Sequence, residues 1–259
     1  NLCGTLLRVM NNEYDSFEAL FEAFKKDLSK QISEAAESLN QARKIRAQIM
    51  RRPLQSVFTK NCIERALDIE CGGARYNWVE CSFVGMANFV DSMTVIREEV
   101  FRLKDITLSG LKKILDTDFE NNESLRQKFL NRYPKYGMDC RETDGLIRSL
   151  VDFVVAECGR HKIEPHDSAY IPGMFCWVMH QRLGAETGAT PDGRRAGFPF
   201  ADGAGPAQGR EKFGPTAAVR SVCSWSPSAL IGGCAFNMKF TRAILSTDEA
   251  REKDRKSVV

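Results

Sequence analysis

Residues 186–218 read ETGATPDGRRAGFPFADGAGPAQGREKFGPTAA. Glycine or proline stands at 188, 191, 193, 197, 199, 203, 205, 206, 209, 214 and 215, interleaved with Asp192, Arg194, Arg195, Asp202, Gln208, Arg210 and Lys212. Such a chain turns often and lets other backbone come close. A flexible linker would be rich in glycine and serine and would lack the arginines, the aspartates and the pair Phe198 and Phe200. The stretch is expected to be an ordered loop packed on a scaffold. Arg194 and Arg195 either hold an anion or, next to Asp192 and Asp202, pin the loop by charge-assisted hydrogen bonds; the pinning role is the better fit.

On the N-terminal side of this loop, Tyr170 to Val178 reads as a buried strand, reached by a turn through Pro165 and Asp167. Thr143 to His161 is expected to be a helix with Leu146, Leu150, Phe153, Val154 and Cys158 inward, and Phe83 to Leu103 another. Shorter helices are expected from Thr107 or Ser109 to Leu115 and from Glu123 to Leu130. Gly72-Gly73 reads as a turn feeding a short strand, Asn61 to Asp68 as a helix, and Leu54 to Lys60 as a short strand or connector.

Residues 2 to 11 form a helical pattern. From Asp15 or Ser16 to just before Pro53, apolar residues from Phe17 to Ile49 recur at three- and four-residue steps, which predicts one long amphipathic helix. Beyond the loop, Ala218 to Ser224 and Ala235 to Phe240 read as two more strands. Helices alternating with short buried strands argue an α/β architecture, helix-rich, with no internal repeat or domain boundary.

Hydrophobic residues make up 43% and charged residues 27% of the 259, the composition of a globular protein. The net charge of +3, spread over helices and loops, gives little support to nucleic-acid binding. No apolar run approaches the ~18 residues of a membrane span, so no membrane partner is expected and a cytoplasmic location is. The nine cysteines are widely spaced and include no C-x-x-C pair, which fits reduced thiols. His161, His166 and His180 show no ligand spacing, so no metal is expected.

Several short motifs carry a resemblance. Gly72 to Asn77 (GGARYN), Pro134 to Gly137 (PKYG), Ala189 to Arg194 (ATPDGR), Ala201 to Gly203, Gly214 to Ala217 (GPTA) and Asn237 to Phe240 (NMKF) resemble, in order, the motifs of glycyl radical enzymes. That is the family of pyruvate formate-lyase and the radical dehydratases. Asn88, Asp91 and Ser92 resemble its A-D-S-L helix, whereas Met138 stands where the family usually has asparagine.

The resemblance implies a ten-stranded α/β barrel with residues 1–259 as a central-to-C-terminal part of it. It also implies a glycyl radical installed by an S-adenosylmethionine-dependent iron–sulfur activating enzyme, a small organic substrate, and a homodimer in the cytoplasm or a bacterial microcompartment. The reaction would be a dehydration, another elimination, a decarboxylation or a formate acetyltransferase-like step. The family's R-V-x-G-Y loop is absent here, and its glycine-preceded Cys-x-Glu is expected upstream of Asn1, so this chain alone is expected to be inactive, with no catalytic residue of its own.

Cys62 and Glu64 form a Cys-x-Glu, but Asn61 precedes it and a helix is expected there, so the pair reads as a decoy. The family's cavity is lined by the strand ahead of the P-D-G-R run, which makes Met174, Phe175, Cys176 and Trp177 the expected substrate-binding residues. Strand alternation puts either Met174 and Cys176, or Gly173, Phe175 and Trp177, on the inner face. Two other readings stand beside this one: a non-catalytic binding or assembly module derived from the family, and an unrelated enzyme that binds a phosphorylated ligand on the glycine loop.

Overall fold

The computed structural model describes residues 1–165, 168–240, 247–249 and 252, so His166 and Asp167 lie outside the described residues. In chain order the elements are α1 (Leu2–Val9), α2 (Phe17–Ile49), α3 (Pro53–Val57), β1 (Val79–Ser82), α4 (Met86–Ile96), α5 (Leu108–Asp116), α6 (Glu123–Asn131), α7 (Arg141–Cys158), β2 (Lys162–Ile163), β3 (Ser168–Gly173), α8 (Met179–Ala185) and α9 (Gly214–Cys223). A π-helical turn, Arg97–Arg102, continues α4.

The sheet has the order β1-β3-β2. β1 and β3 run parallel with Val79 opposite Tyr170 and Ser82 opposite Gly173, while β2 pairs antiparallel. Past the end of β3, Met174 bridges Cys234 in the parallel sense. Helices cover one face of this sheet. α7 packs on β3, and the Cys81 thiol meets both the Cys158 thiol and the Tyr170 hydroxyl there. Behind that layer α1, α2 and α4 close the core, with the Phe24 and Phe89 rings stacked at 4.2 Å.

Helix α2 begins where the Ser16 hydroxyl accepts from the Ala19 amide. Its buried stripe runs Phe17, Leu20, Phe24, Leu28, Ile32 and Ala36 and then stops. Ile45 and Ile49 keep the helical spacing but stay exposed, because over these turns the helix meets the rest of the chain through Arg43, Arg46 and the Ala47 carbonyl on another side.

Four other expectations are corrected. Leu54 to Lys60 is not a strand: Pro53 sits in the first turn of a short helix, where its missing N–H costs nothing. Asn61 to Asp68 is a run of turns, since Asn61 (φ 76°) and Ala66 (φ 52°) are left-handed and Ile63 is 65% exposed. Ala218 to Ser224 belongs to helix α9 up to Cys223, whose buried Ala217, Ala218, Ser221 and Val222 have helical spacing. Ala235 to Phe240 forms no strand; the pairing is confined to the Cys234 bridge.

Helix α4 is buried on every side, including Asn88, Asp91, Ser92 and Thr94. Such a helix is tolerable only if its polar groups find partners. Thr94 donates to the Val90 carbonyl, and Asp91 Oδ1 accepts from the Tyr136 amide at 2.8 Å. Asp91 Oδ2 and the fully buried Lys135 Nζ have no hydrogen bond among the described residues.

Burial raises the Asp91 carboxyl to about 7, against the attraction of Lys135 and Arg210 and with repulsion from Asp192. An unfolded aspartate titrates at 3.8, so between that pH and about 7 the folded chain holds the extra proton and loses stability as pH rises. Asp91→Asn is expected to remove this slope. Urea unfolding midpoints at pH 4, 5.5 and 7 should fall with pH more steeply for the wild type than for the variant.

Candidate functional site

The glycine-rich loop is held to the buried face of α4. Asn88 Nδ2 donates to Asp192 Oδ2 at 2.7 Å, while Asn88 Oδ1 accepts from the Ala201 amide at 2.8 Å. The Asp192 amide donates to Ser92 Oγ, and the Thr190 hydroxyl donates to Asp192 Oδ1. Gly193, at φ 91°, turns the chain so tightly against Leu130 that a Cβ there would come within 2.6 Å of its Cδ2.

Arg194 is the loop's centre. Its guanidinium donates to the carbonyls of Gly184, Thr187, Gly188 and Phe198 and to Thr190 Oγ1, and lies over the Phe200 ring at 4.3 Å. Every nitrogen of the fork is engaged, so the side chain pins the loop and α8 and is not offered to an anion. Arg195 also pins, but through Asp118 and Glu123 and not through Asp192 or Asp202.

The expected strand Tyr170–Val178 ends earlier. β3 stops at Gly173, Met174 makes its bridge, and Trp177 turns at φ 46° into α8. Met174 (0% exposed) and Cys176 (3%) lie on the helix-covered side, with Cys176 Sγ 3.8 Å from His180 Nδ1. Phe175 (40%) and Trp177 (77%) lie open, their rings edge to face at 5.9 Å. Alternation along β3 thus puts Ile171, Gly173 and Phe175 on the face opposite the helices, with Glu80 and Ser82 of β1 beside them.

Ser82 Oγ donates to the Phe175 carbonyl at 2.8 Å, which ties the end of β1 to the chain leaving β3. Burial raises the Glu80 carboxyl, opposed by a hydrogen bond with Ser82. Sequence reading passed over both residues, although Val79-Glu80-Cys81-Ser82 alternates as a half-open strand should.

Cys62 and Glu64 do not reach this face. Cys62 is buried under the turn, its Sγ 3.0 Å from where a Gly73 Cβ would stand, and burial raises its thiol; Glu64 is exposed. His161 lies 3.6 Å from Glu157, and His180 Nδ1 lies 2.9 Å from the Trp177 carbonyl. Among the described residues no group of three or more His, Cys, Asp or Glu is placed to hold a metal, and no helix is long and apolar enough to cross a membrane.

This arrangement of strands under an outer helix layer is part of the α/β barrel of glycyl radical enzymes. All of the chain superposes on 35% of the glycerol-bound B12-independent glycerol dehydratase from Clostridium butyricum, at TM-score 0.93 and 30% identity. The pyruvate formate lyase-like family model matches residues 4–184, and the chain belongs to that family. It is 36% identical over 207 residues to the probable dehydratase YbiW of Escherichia coli K12, covering 77% of this chain and 26% of the relative. It is 32% identical over 237 residues to trans-4-hydroxy-L-proline dehydratase of Clostridioides difficile, covering 91% and 30%. The chain therefore spans less than a third of the length of these two curated relatives.

Arg194→Lys keeps the charge but leaves several buried carbonyls without a donor. It is expected to lower unfolding free energy by about 3 kcal/mol or more, read from urea denaturation.

Proposed function

We propose that this chain contributes part of the wall of a glycyl radical lyase, acting by dehydration or related elimination on a small organic substrate. The observation that carries the reading is the two-sided sheet. One face is packed under helices, and the other presents Ile171, Gly173 and Phe175 with Trp177 at its end. In a closed barrel that second face looks inward, so Phe175 and Trp177 are the proposed substrate contacts. Met174 and Cys176, on the packed side, would support them. Relatives that dehydrate glycerol and hydroxyproline support the reaction class.

The radical itself does not fit the residues present. None of the 19 glycines stands in an R-V-x-G-Y run, and no Cys-x-Glu of this chain follows a glycine. We place both radical residues outside residues 1–259. The activating enzyme, a second copy of the whole protein, and a reducing cytoplasm or microcompartment belong to the same proposal, to which the described free cysteines conform.

Two measurements test it. This chain, incubated anaerobically with an activating enzyme and S-adenosylmethionine, is expected to give no glycyl radical doublet in electron paramagnetic resonance; a doublet would place the radical within it. Grafted in place of the superposing segment of glycerol dehydratase, it is expected to permit the doublet and turnover of a small alcohol. A graft that takes up the radical yet turns over none of a panel of diols, amino alcohols and hydroxysulfonates would overturn the assignment.

A further inference from the structure

The open face of the sheet carries one unpaired charge. Glu80 points away from the helix layer, and its side chain lies over two glycines. A Cβ on Gly173 would stand 2.1 Å from Glu80 Oε1, and a Cβ on Gly232 would stand 2.6 Å from Glu80 Cγ. Glycine at both positions makes the bed in which this side chain rests; any other residue would displace it. Burial and the Ser82 hydroxyl are the influences on the carboxyl, and among the described residues no basic side chain pairs with it.

The neighbours of Glu80 narrow what could meet it. Gly173 lies under the carboxylate, and Phe175 follows two residues on along the same strand face, about 7 Å away. Gly233, next to Gly232, brings a would-be Cβ within 3.1 Å of Phe175 Cβ, so the aromatic pair and the carboxylate lie on one stretch of this face. A carboxylate without a cation, beside two open aromatic rings, has the chemistry that binds an ammonium group. An anion would be repelled, and among the described residues Glu80 belongs to no group of three or more His, Cys, Asp or Glu that could hold a metal.

We propose that Glu80 selects a substrate bearing an alkylammonium group, its carboxylate receiving the cation while Phe175 and Trp177 pack on the adjoining carbons. This rests on the reading of the open face as substrate wall and adds the charge of the substrate to it. A bound cation would offset the desolvation that now raises the Glu80 carboxyl, so binding and ionisation of Glu80 reinforce each other.

The test uses this chain with propylammonium and, as its uncharged counterpart, propan-1-ol. Binding is followed at the indole N–H of Trp177 by nitrogen-15 resonance, assigned with Trp177→Phe. Propylammonium is expected to bind at least about tenfold more tightly than propan-1-ol. Glu80→Gln should abolish the preference, and Glu80→Asp, which keeps the charge, should retain part of it. Equal binding of the two probes, or an undiminished preference in Glu80→Gln, overturns the role of Glu80 while leaving the face as a substrate wall. Failure of both probes to move the Trp177 signal overturns both.

Discussion

The structure depends on the burial of one guanidinium. Arg194 has little solvent contact, and burial lowers its pKa, a cost that only hydrogen bonds and nearby negative charge can offset. Its partners are mostly carbonyls of a loop too poor in hydrophobic anchors and regular hydrogen bonds to hold itself. Asp192, two residues away, completes the arrangement: its carboxylate accepts from Asn88, Thr190 and the Arg194 amide, so loop, cation and helix α4 are locked together. This explains why α4 carries the Asn88 amide and the Ser92 hydroxyl in an otherwise apolar environment. They are the sockets into which the loop fits.

A sheet with one packed and one open face has a direct meaning in a barrel. The packed face is made by Tyr170, Pro172, Met174 and Cys176, all buried, together with Cys81 against α7. The open face carries Glu80, Ser82, Gly173 and a single aliphatic side chain, Ile171, and then two aromatic rings, a composition suited to lining a cavity and unsuited to a second core. Radical chemistry demands enclosure, because a carbon radical in contact with water or oxygen is lost. On the proposed reading, a wall whose outer side is a rigid helix layer would supply that enclosure without obstructing the inside.

The sequence made the long helices legible, and short ones such as α1, α5 and α6 as well, but not every short segment. Three- and four-residue spacing located α2, α4 and α7 because their apolar stripes span several turns. Short segments failed where two periodicities fit equally: Ala218-Val-Arg-Ser-Val-Cys-Ser has enough β-branched residues for a strand, yet Pro215 in the first turn and buried neighbours three and four apart make it α9. Tyr170 to Val178 read as one strand because hydrophobicity continues through it; nothing local announces that Trp177 adopts a positive φ and starts a turn. Tertiary contact decides there, as it does for Ile45 and Ile49, whose spacing fits burial but whose turns meet the body through Arg43 and Arg46 instead. Glu80 escaped notice for a related reason. Its significance comes from Gly173 and Gly232, each distant in sequence, and from the cation it lacks.

The anchor and the open face are one mechanical unit. Arg194 donates to the Gly184 carbonyl near the end of α8, and the Phe200 amide donates to the His180 carbonyl near its start, so the loop grips that helix at both ends. The His180 ring in turn meets the Trp177 carbonyl, and the Met179 amide donates to Cys176. Trp177 is therefore fixed through its backbone even though its ring is open, which is the condition for an exposed aromatic to act as a preformed contact and not a mobile one. Ser82 does the same for Phe175 from the other side. The glycine-rich loop thus governs the shape of the proposed contact surface, and its residues are constrained by geometry transmitted through α8.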